Sequence, residues 1–244
     1  MPLLTEYAAR LTQAINAVAR DEADAIDRAA AVLAEQLRRD GLIYLYGPGA
    51  HSAIAVQDVF YRAGCPANVV PVSDTSTTLA AGALASTQAE RADNHGAAVV
   101  AASGVTAGDP FVIINAFGIN AAALSAARAA RTLGAYVIGL STPATTADLP
   151  INHPARGDGL STLADLADLH INTHVPIGDT LLAVAGQPAG GASTVLNSFT
   201  LHALLTTALA HSPTTQVWRS TYTPDADIHN AHLAAHFRPR IPAL

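Results

Sequence analysis

The chain has no lysine; all thirteen of its basic residues are arginine. This excludes Schiff-base chemistry on a lysine and the lysine of a Walker A phosphate loop. It has one cysteine, Cys65, so no disulfide can close within the chain, which fits a reducing compartment. Charge is sparse, at 13% of residues, and nineteen acidic against thirteen basic side chains leave a net charge of −6. No basic stripe occurs, which argues against nucleic acid and anionic membrane as partners. The opening MPLLTEYAAR lacks a signal-peptide pattern, and no apolar run is long and unbroken enough to span a bilayer. A soluble cytoplasmic protein is expected.

What the chain does have is apolar surface, half of its 244 residues. That is ample for a buried core and poor for disorder. Leu4, Ala8, Leu11, Ile15 and Val18 repeat at spacings of four and three, and Ile26, Ala30, Leu33 and Leu37 continue the pattern. The spacing predicts one long amphipathic helix or two consecutive ones, ending near Asp40-Gly41 and packing on the body or on a partner subunit. After it, short apolar runs alternate with helical patterns. Strands are expected at Leu42–Tyr46, Asn68–Val72, Asp109–Ala116 and Ala135–Leu140, with a weaker fifth at Ala167–Asn172. Helices are expected at Ser52–Ala63, Asn120–Leu133 and Ala192–Ala210. Near-continuous apolar strands between helices argue for a parallel sheet covered on both faces. Pro143–Gly159 reads as a long polar loop.

In such a sheet, ligands sit at the carboxyl ends of the strands. The first strand runs into Gly47-Pro48-Gly49-Ala50-His51-Ser52. Glycines there let backbone N–H groups approach an anion, and the following helix N-terminus adds partial positive charge. A dinucleotide turn would want a glycine where Ser52 stands, and no acidic residue ends the second strand cleanly, since Asp74 comes late. The third strand leads into Asn115-Ala116-Phe117-Gly118-Ile119-Asn120, and the fourth into Ser141-Thr142. Three such turns make a binding crevice by topology. Near the C-terminus, His229, His232 and His236 fall at i, i+3 and i+7 beside Asp225 and Asp227. One helix carries i and i+7 about 10 Å apart, so an exposed histidine-rich face is expected rather than a metal site.

Further along, Phe60-Tyr61-Arg62-Ala63-Gly64 stands intact behind the first turn. Gly82-Ala83-Leu84, Glu90-Arg91, His153, Ala167-Asp168, Gly178-Asp179, Ser193-Thr194 and Asn230 follow in order. With these residues the chain resembles the SIS (sugar isomerase) domain family, in a subgroup related to phosphoheptose isomerases. In that subgroup the first turn reads G-S-G-H-S-H, so Ala50 behaves as a one-residue insertion.

The resemblance implies an α/β three-layer sandwich with a mostly parallel five-stranded sheet of the flavodoxin-like, doubly wound kind. It implies one SIS domain over residues 1–244, with residues 1–40 as its N-terminal helical segment, assembled as a homodimer or homotetramer. It also implies an aldose–ketose isomerase that moves a proton between C1 and C2 through an enediol, with no metal and no cofactor. A carboxylate base and a histidine acid would serve this chemistry, here Glu90 with His51 or His153. Substrate contacts are expected from Gly47, Gly49, Ser52, Arg62, Asn115, Gly118, Asn120, Ser141, Thr142, Asp179 and His202. Core packing of His202, helix capping by Asp179 and an ion pair between Arg62 and Asp58 are the competing readings.

One departure bears on the substrate. Phosphosugar-binding members carry S-x-S-G where this chain has Asn115–Asn120, without a serine. A buried phosphate oxygen left unpaired costs about 1–3 kcal/mol. The expected ligand is therefore a sugar or sugar phosphate, with a free, amino-substituted or sulfonated sugar fitting the altered loop. A non-catalytic sugar sensor and a sugar-ether lyase are the alternatives. The sequence does not separate them.

Overall fold

A computed structural model of the chain describes residues 2–143 and 149–244. Two helices open it, α1 (Leu3–Asp21) and α2 (Ala23–Arg38). The break falls at Glu22, whose carboxylate accepts the Asn172 backbone N–H at 3.1 Å. The continuous apolar stripe thus becomes two helices because the joint is anchored to the sheet. There follow β1 (Ile43–Tyr46), α3 (Ala50–Val59), β2 (Val69–Pro71), α4 (Ala83–Glu90), α5 (His95–Ala102), β3 (Pro110–Ile114), α6 (Ala121–Thr132) and β4 (Tyr136–Ser141). The chain continues through α7 (Leu163–Leu166), β5 (Leu169–Asn172), β6 (Thr180–Val184), β7 (Gln187–Gly191), α8 (Ser193–His211) and α9 (Ala226–Phe237).

Strands β1 to β5 form one parallel sheet in the order β2-β1-β3-β4-β5. Successive side chains of a strand point to opposite faces, and both faces here are buried. Ile43, Leu45, Val112, Ile114, Ile138 and Leu140 pack against α2, α3 and α8. Tyr44, Tyr46, Phe111, Ile113 and Val137 pack against α5, α6, α9 and Trp218. This is the three-layer, doubly wound sandwich. The order in which strands are added to the sheet reverses between β1 and β3, so the turns after these strands flank a crevice.

Several elements differ from expectation. Helix α3 stops at Val59, so Phe60–Gly64 is a turn. Tyr61 takes a positive φ of 51° there and packs at a 47° tilt against Trp218, 4.5 Å between ring centroids. Helices α4 and α5 are alanine-rich and carry little apolar periodicity, which hid them. The antiparallel hairpin β6–β7 is short and glycine-containing. It packs beneath α1, where the Tyr7 hydroxyl donates to the Gly191 carbonyl at 2.7 Å. Residues 144–148 of the polar loop lie outside the described residues. Among the described residues no helix is long and apolar enough to cross a membrane.

Candidate functional site

At the carboxyl edge of the sheet a cleft of about 270 Å³ opens between α3, α4, the turn after β3 and the start of α8. Gly49–Ser52, Glu90, Asn120, Asp179 and Ser193 line it. The first turn depends on its glycines. A Cβ on Gly47 would stand 2.5 Å from the Ser52 carbonyl oxygen. Gly49 has φ +126°, and a Cβ there would stand 3.1 Å from Glu90 Oε2. The turn therefore lies directly against the Glu90 carboxyl group. Among the described residues no side-chain cap holds the start of α3, the end at which a helix's first backbone N–H groups lack intrahelical partners.

The second turn is fastened to the first. Asn115 Nδ2 donates to the Pro48 carbonyl at 2.9 Å, and its Oδ1 accepts the Gly118 N–H at 2.8 Å. Asn115 thus spends its amide on holding the two turns together. Gly118 has φ +63°, and a Cβ there would meet Ser141 Oγ at 2.5 Å. Ser141 Oγ hydrogen-bonds His170 Nε2 at 2.9 Å, and the Thr142 N–H donates to the Ala116 carbonyl at 2.9 Å. Burial holds the His170 imidazole below its ordinary pKa. Ser141 and Thr142 are buried behind the turn and do not line the cleft. Phe117, standing in a turn without serine, packs with Leu11, Ile15 and Leu181 around Leu196.

Glu90 ends α4 with its carboxyl between the two turns. Asn120 Nδ2 donates to Glu90 Oε2 at 3.0 Å. Burial pushes this carboxyl up to about 7; the neighbouring Arg91 pulls it down and the Asp74 carboxylate pushes it further up. Asp74 itself is nearly enclosed. It accepts from the Tyr46 hydroxyl at 2.8 Å and Thr77 Oγ1 at 3.0 Å, and pairs with His95 Nε2 at 2.9 Å. Tyr46 is raised well above its ordinary pKa, first by burial and then by the Asp74 charge.

Sequence reasoning missed this network. Its signal was Asp74 itself, which follows β2 too late for a ribose-binding acid yet in time to reach back to Tyr46. Replacing Asp74 with Asn removes an anion beside Glu90. The Glu90 titration, followed by carboxyl-carbon NMR, is expected to move below about 7 yet stay above the ordinary carboxylate range, because burial is the larger cause. An unmoved titration would show that Asp74 does not act on Glu90.

Asp179 lines the cleft but is engaged. Its Oδ1 accepts the Ala192 and Ser193 N–H groups at 3.1 and 2.6 Å, and its Oδ2 accepts the Ser193 hydroxyl at 2.7 Å. It caps α8 from outside the helix. His51 is exposed at the mouth.

The structure does not bring Arg62, His153 or His202 to this cleft. Arg62 pairs with Asp58 at 3.2 Å, and His202 Nε2 reaches Asp58 Oδ2 at 3.0 Å. His202 thus bridges α8 to α3, and Arg62 folds back on α3 from the turn that follows it. His153 accepts the Ala155 N–H at 3.2 Å within its own turn. The C-terminal histidines diverge as well, His229 to the Val217 carbonyl and His236 to Asp40. Among the described residues no three His, Cys, Asp or Glu side chains gather so as to hold a metal.

Residues 6–142 match the family model described as the SIS domain. A UPF0309 protein of Geobacillus thermodenitrificans is 29% identical over 248 residues, covering 99% of this chain and 98% of the relative. A UPF0309 protein of Brucella canis is 32% identical over 224 residues, covering 90% of this chain and 89% of the relative. Among solved structures, phosphoheptose isomerase GmhA from Neisseria gonorrhoeae superposes with a TM-score of 0.56 at 20% identity, over 85% of this chain and 97% of that one. A phosphoheptose isomerase from Francisella tularensis gives 0.54 at 21% identity, over 85% and 98%. At such identities the likeness establishes the shared fold.

Proposed function

This chain belongs to the SIS domain family and to the UPF0309 proteins, and from that premise we propose that it is a sugar isomerase whose cleft binds a sugar or sugar derivative and moves a proton between C1 and C2. The observation that carries this reading is Glu90. Its carboxyl lies in the cleft, against Gly49 and beside Asn120, and is raised to about 7. A group that must take a proton from carbon and return it works best with a pKa near the operating pH. His51 stands at the mouth, where it would serve the carbonyl and ring oxygens as the enediol forms and collapses. The N–H groups at the start of α3 would stabilise the negative oxygen of that intermediate. None of these steps calls for a metal or an organic cofactor.

Assembly into at least a dimer belongs to the same reading. It is supported by apolar side chains left in solvent, Leu4 at 78% and Leu84 at 82% exposure, which a partner subunit would cover.

The test is solvent-proton exchange. Candidate aldoses and ketoses, free and substituted, are incubated with the protein in deuterium oxide, and the C2 proton of each aldose and the C1 protons of each ketose are followed by proton NMR. Loss of the C2 proton signal with at least one sugar is expected. A sugar that binds, by thermal shift, yet exchanges no proton would turn the reading from enzyme to binding protein.

A further inference from the structure

Glu90 has two opposite tasks in the reaction proposed above. As a carboxylate it takes the C2 proton of an aldose, the C–H electron pair becomes the C1–C2 double bond of the enediol, and the carbonyl oxygen gains a proton from His51. As an acid it gives the proton back at C1. A group buried in a cleft needs partners that suit both states, because a mismatched partner in either one costs free energy. Asn120 suits one oxygen only. Its Nδ2 donates to Glu90 Oε2 at 3.0 Å, and an amide N–H donates without accepting. Oε2 is thus held as an acceptor, and the acid proton belongs on Oε1.

Ser86 stands one helical turn before Glu90 on α4, at the i,i+4 spacing that brings side chains together. It is buried and lines the cleft. Its hydroxyl donates to the Thr77 carbonyl at 2.8 Å. The same hydroxyl lies close enough to the Glu90 carboxyl to favour its charged form by hydrogen bonding. One hydroxyl proton therefore faces two acceptors. Thr77 is itself fully buried and pinned, its own hydroxyl donating to Asp74 Oδ2 at 3.0 Å. Other hydroxyls of the cleft are committed elsewhere: Thr87 donates to the Ala83 carbonyl of its own helix at 3.1 Å, and Ser193 to Asp179 Oδ2 at 2.7 Å.

We propose that Ser86 is a positioning residue for Glu90, its hydroxyl turning between the Thr77 carbonyl and the Glu90 carboxyl as that carboxyl gains and loses its proton. A hydroxyl donates one hydrogen bond and accepts others. Beside the protonated acid, Ser86 keeps its proton on the Thr77 carbonyl and accepts from Oε1. Beside the carboxylate it rotates and donates to Oε1. Ser86 retains its own proton throughout, and the carboxyl oxygens need not move between the two steps. This role rests on the isomerase reading above and adds to it the device that lets one buried carboxyl serve as base and then as acid.

The test is Ser86→Ala, which suits a helix interior and adds no atoms. It leaves in place the charged and titratable neighbours of Glu90: Arg91 on the same helix, Asp74 and Tyr46 behind it, and His51 and Asp179 in the cleft. Carboxyl-carbon NMR of the full chain without sugar is expected to show Glu90 titrating about one pH unit above the parent, because the carboxylate has lost a donor. The C2 exchange rate at saturating sugar is expected to fall about fivefold at about pH 7 and to return to the parent rate near about pH 9, with KM unchanged. A titration that stays where it is, or moves down, overturns the role of Ser86. So does a rate that falls equally at every pH, which is what a purely structural hydroxyl would give. A titration that moves up in a protein that exchanges no sugar proton upholds the coupling of Ser86 to Glu90, while the isomerase reading falls.

Discussion

Glu90→Gln is expected to lower C2 proton exchange by about 100- to 10,000-fold, the usual worth of a positioned acid–base group, while making the protein more stable. The two effects have one cause. The Glu90 carboxyl is raised from an ordinary 4.5 to about 7, with burial as the largest cause. As pH rises through about 4.5 the unfolded chain gives up this proton, while the folded chain holds it until about 7. Folding therefore loses stability across that window and keeps the full loss above it. Glutamine removes the loss and still offers an oxygen to Asn120. The gain should be near zero at about pH 4 and reach on the order of 3 kcal/mol above pH 7. For a domain of this size that is a rise in Tm of roughly 5–10 °C. Thermal melts of both proteins across pH, beside the exchange assay, check it. Equal Tm at all pH values would mean that the carboxyl is not held out of water.

Gly96→Ala is expected to be the most damaging small change in the fold. Gly96 lies in the first turn of α5, where that helix crosses α6. A Cβ there would be driven into the Ala122 carbonyl oxygen and would stand 2.8 Å from the Ala126 amide nitrogen. Both are backbone atoms of α6, so no rotamer change relieves the clash and the helices must separate. Overpacking usually costs about 1–3 kcal/mol, and rigid obstacles put this case at the upper end or beyond. A fall in Tm on the order of 10 °C is expected, read by calorimetry or by urea denaturation. Because the neighbouring His95 reaches Asp74, the same change should disturb the network behind Glu90. A variant as stable as the parent would mean that α5 and α6 do not approach so closely.

Much of the architecture is legible in the sequence because it depends on local rules. Four strands of the sheet follow from short apolar runs, since a strand buried on both faces must be apolar throughout; β5, the weaker fifth, alternates buried Leu169 and Ile171 with half-buried His170 and Asn172. The glycines at 47, 49 and 118 mark positions where a side chain would strike a neighbour or adopt an unfavourable φ. Glu90 could be singled out from its place in a family motif. The alanine-rich α4 and α5 were not legible, since helices whose faces carry little contrast give no periodic signal. Nor was the β6–β7 hairpin, a short, partly exposed pair held by contacts with α1.

What the sequence by itself determined is the parallel sheet, its covering helices and the edge at which a ligand would sit, because apolar spacing and glycine placement act over a few residues. Only the tertiary structure decided which polar residues share the cleft. Glu90 and Asn120 are thirty positions apart, and Asp179 and Ser193 fourteen, yet each pair meets through a hydrogen bond. Arg62 and His202, for which the resemblance implied substrate contacts beside the competing readings of an ion pair with Asp58 and of core packing, both meet Asp58. Such pairings depend on how helices pack across the sheet, and that geometry has no local signature.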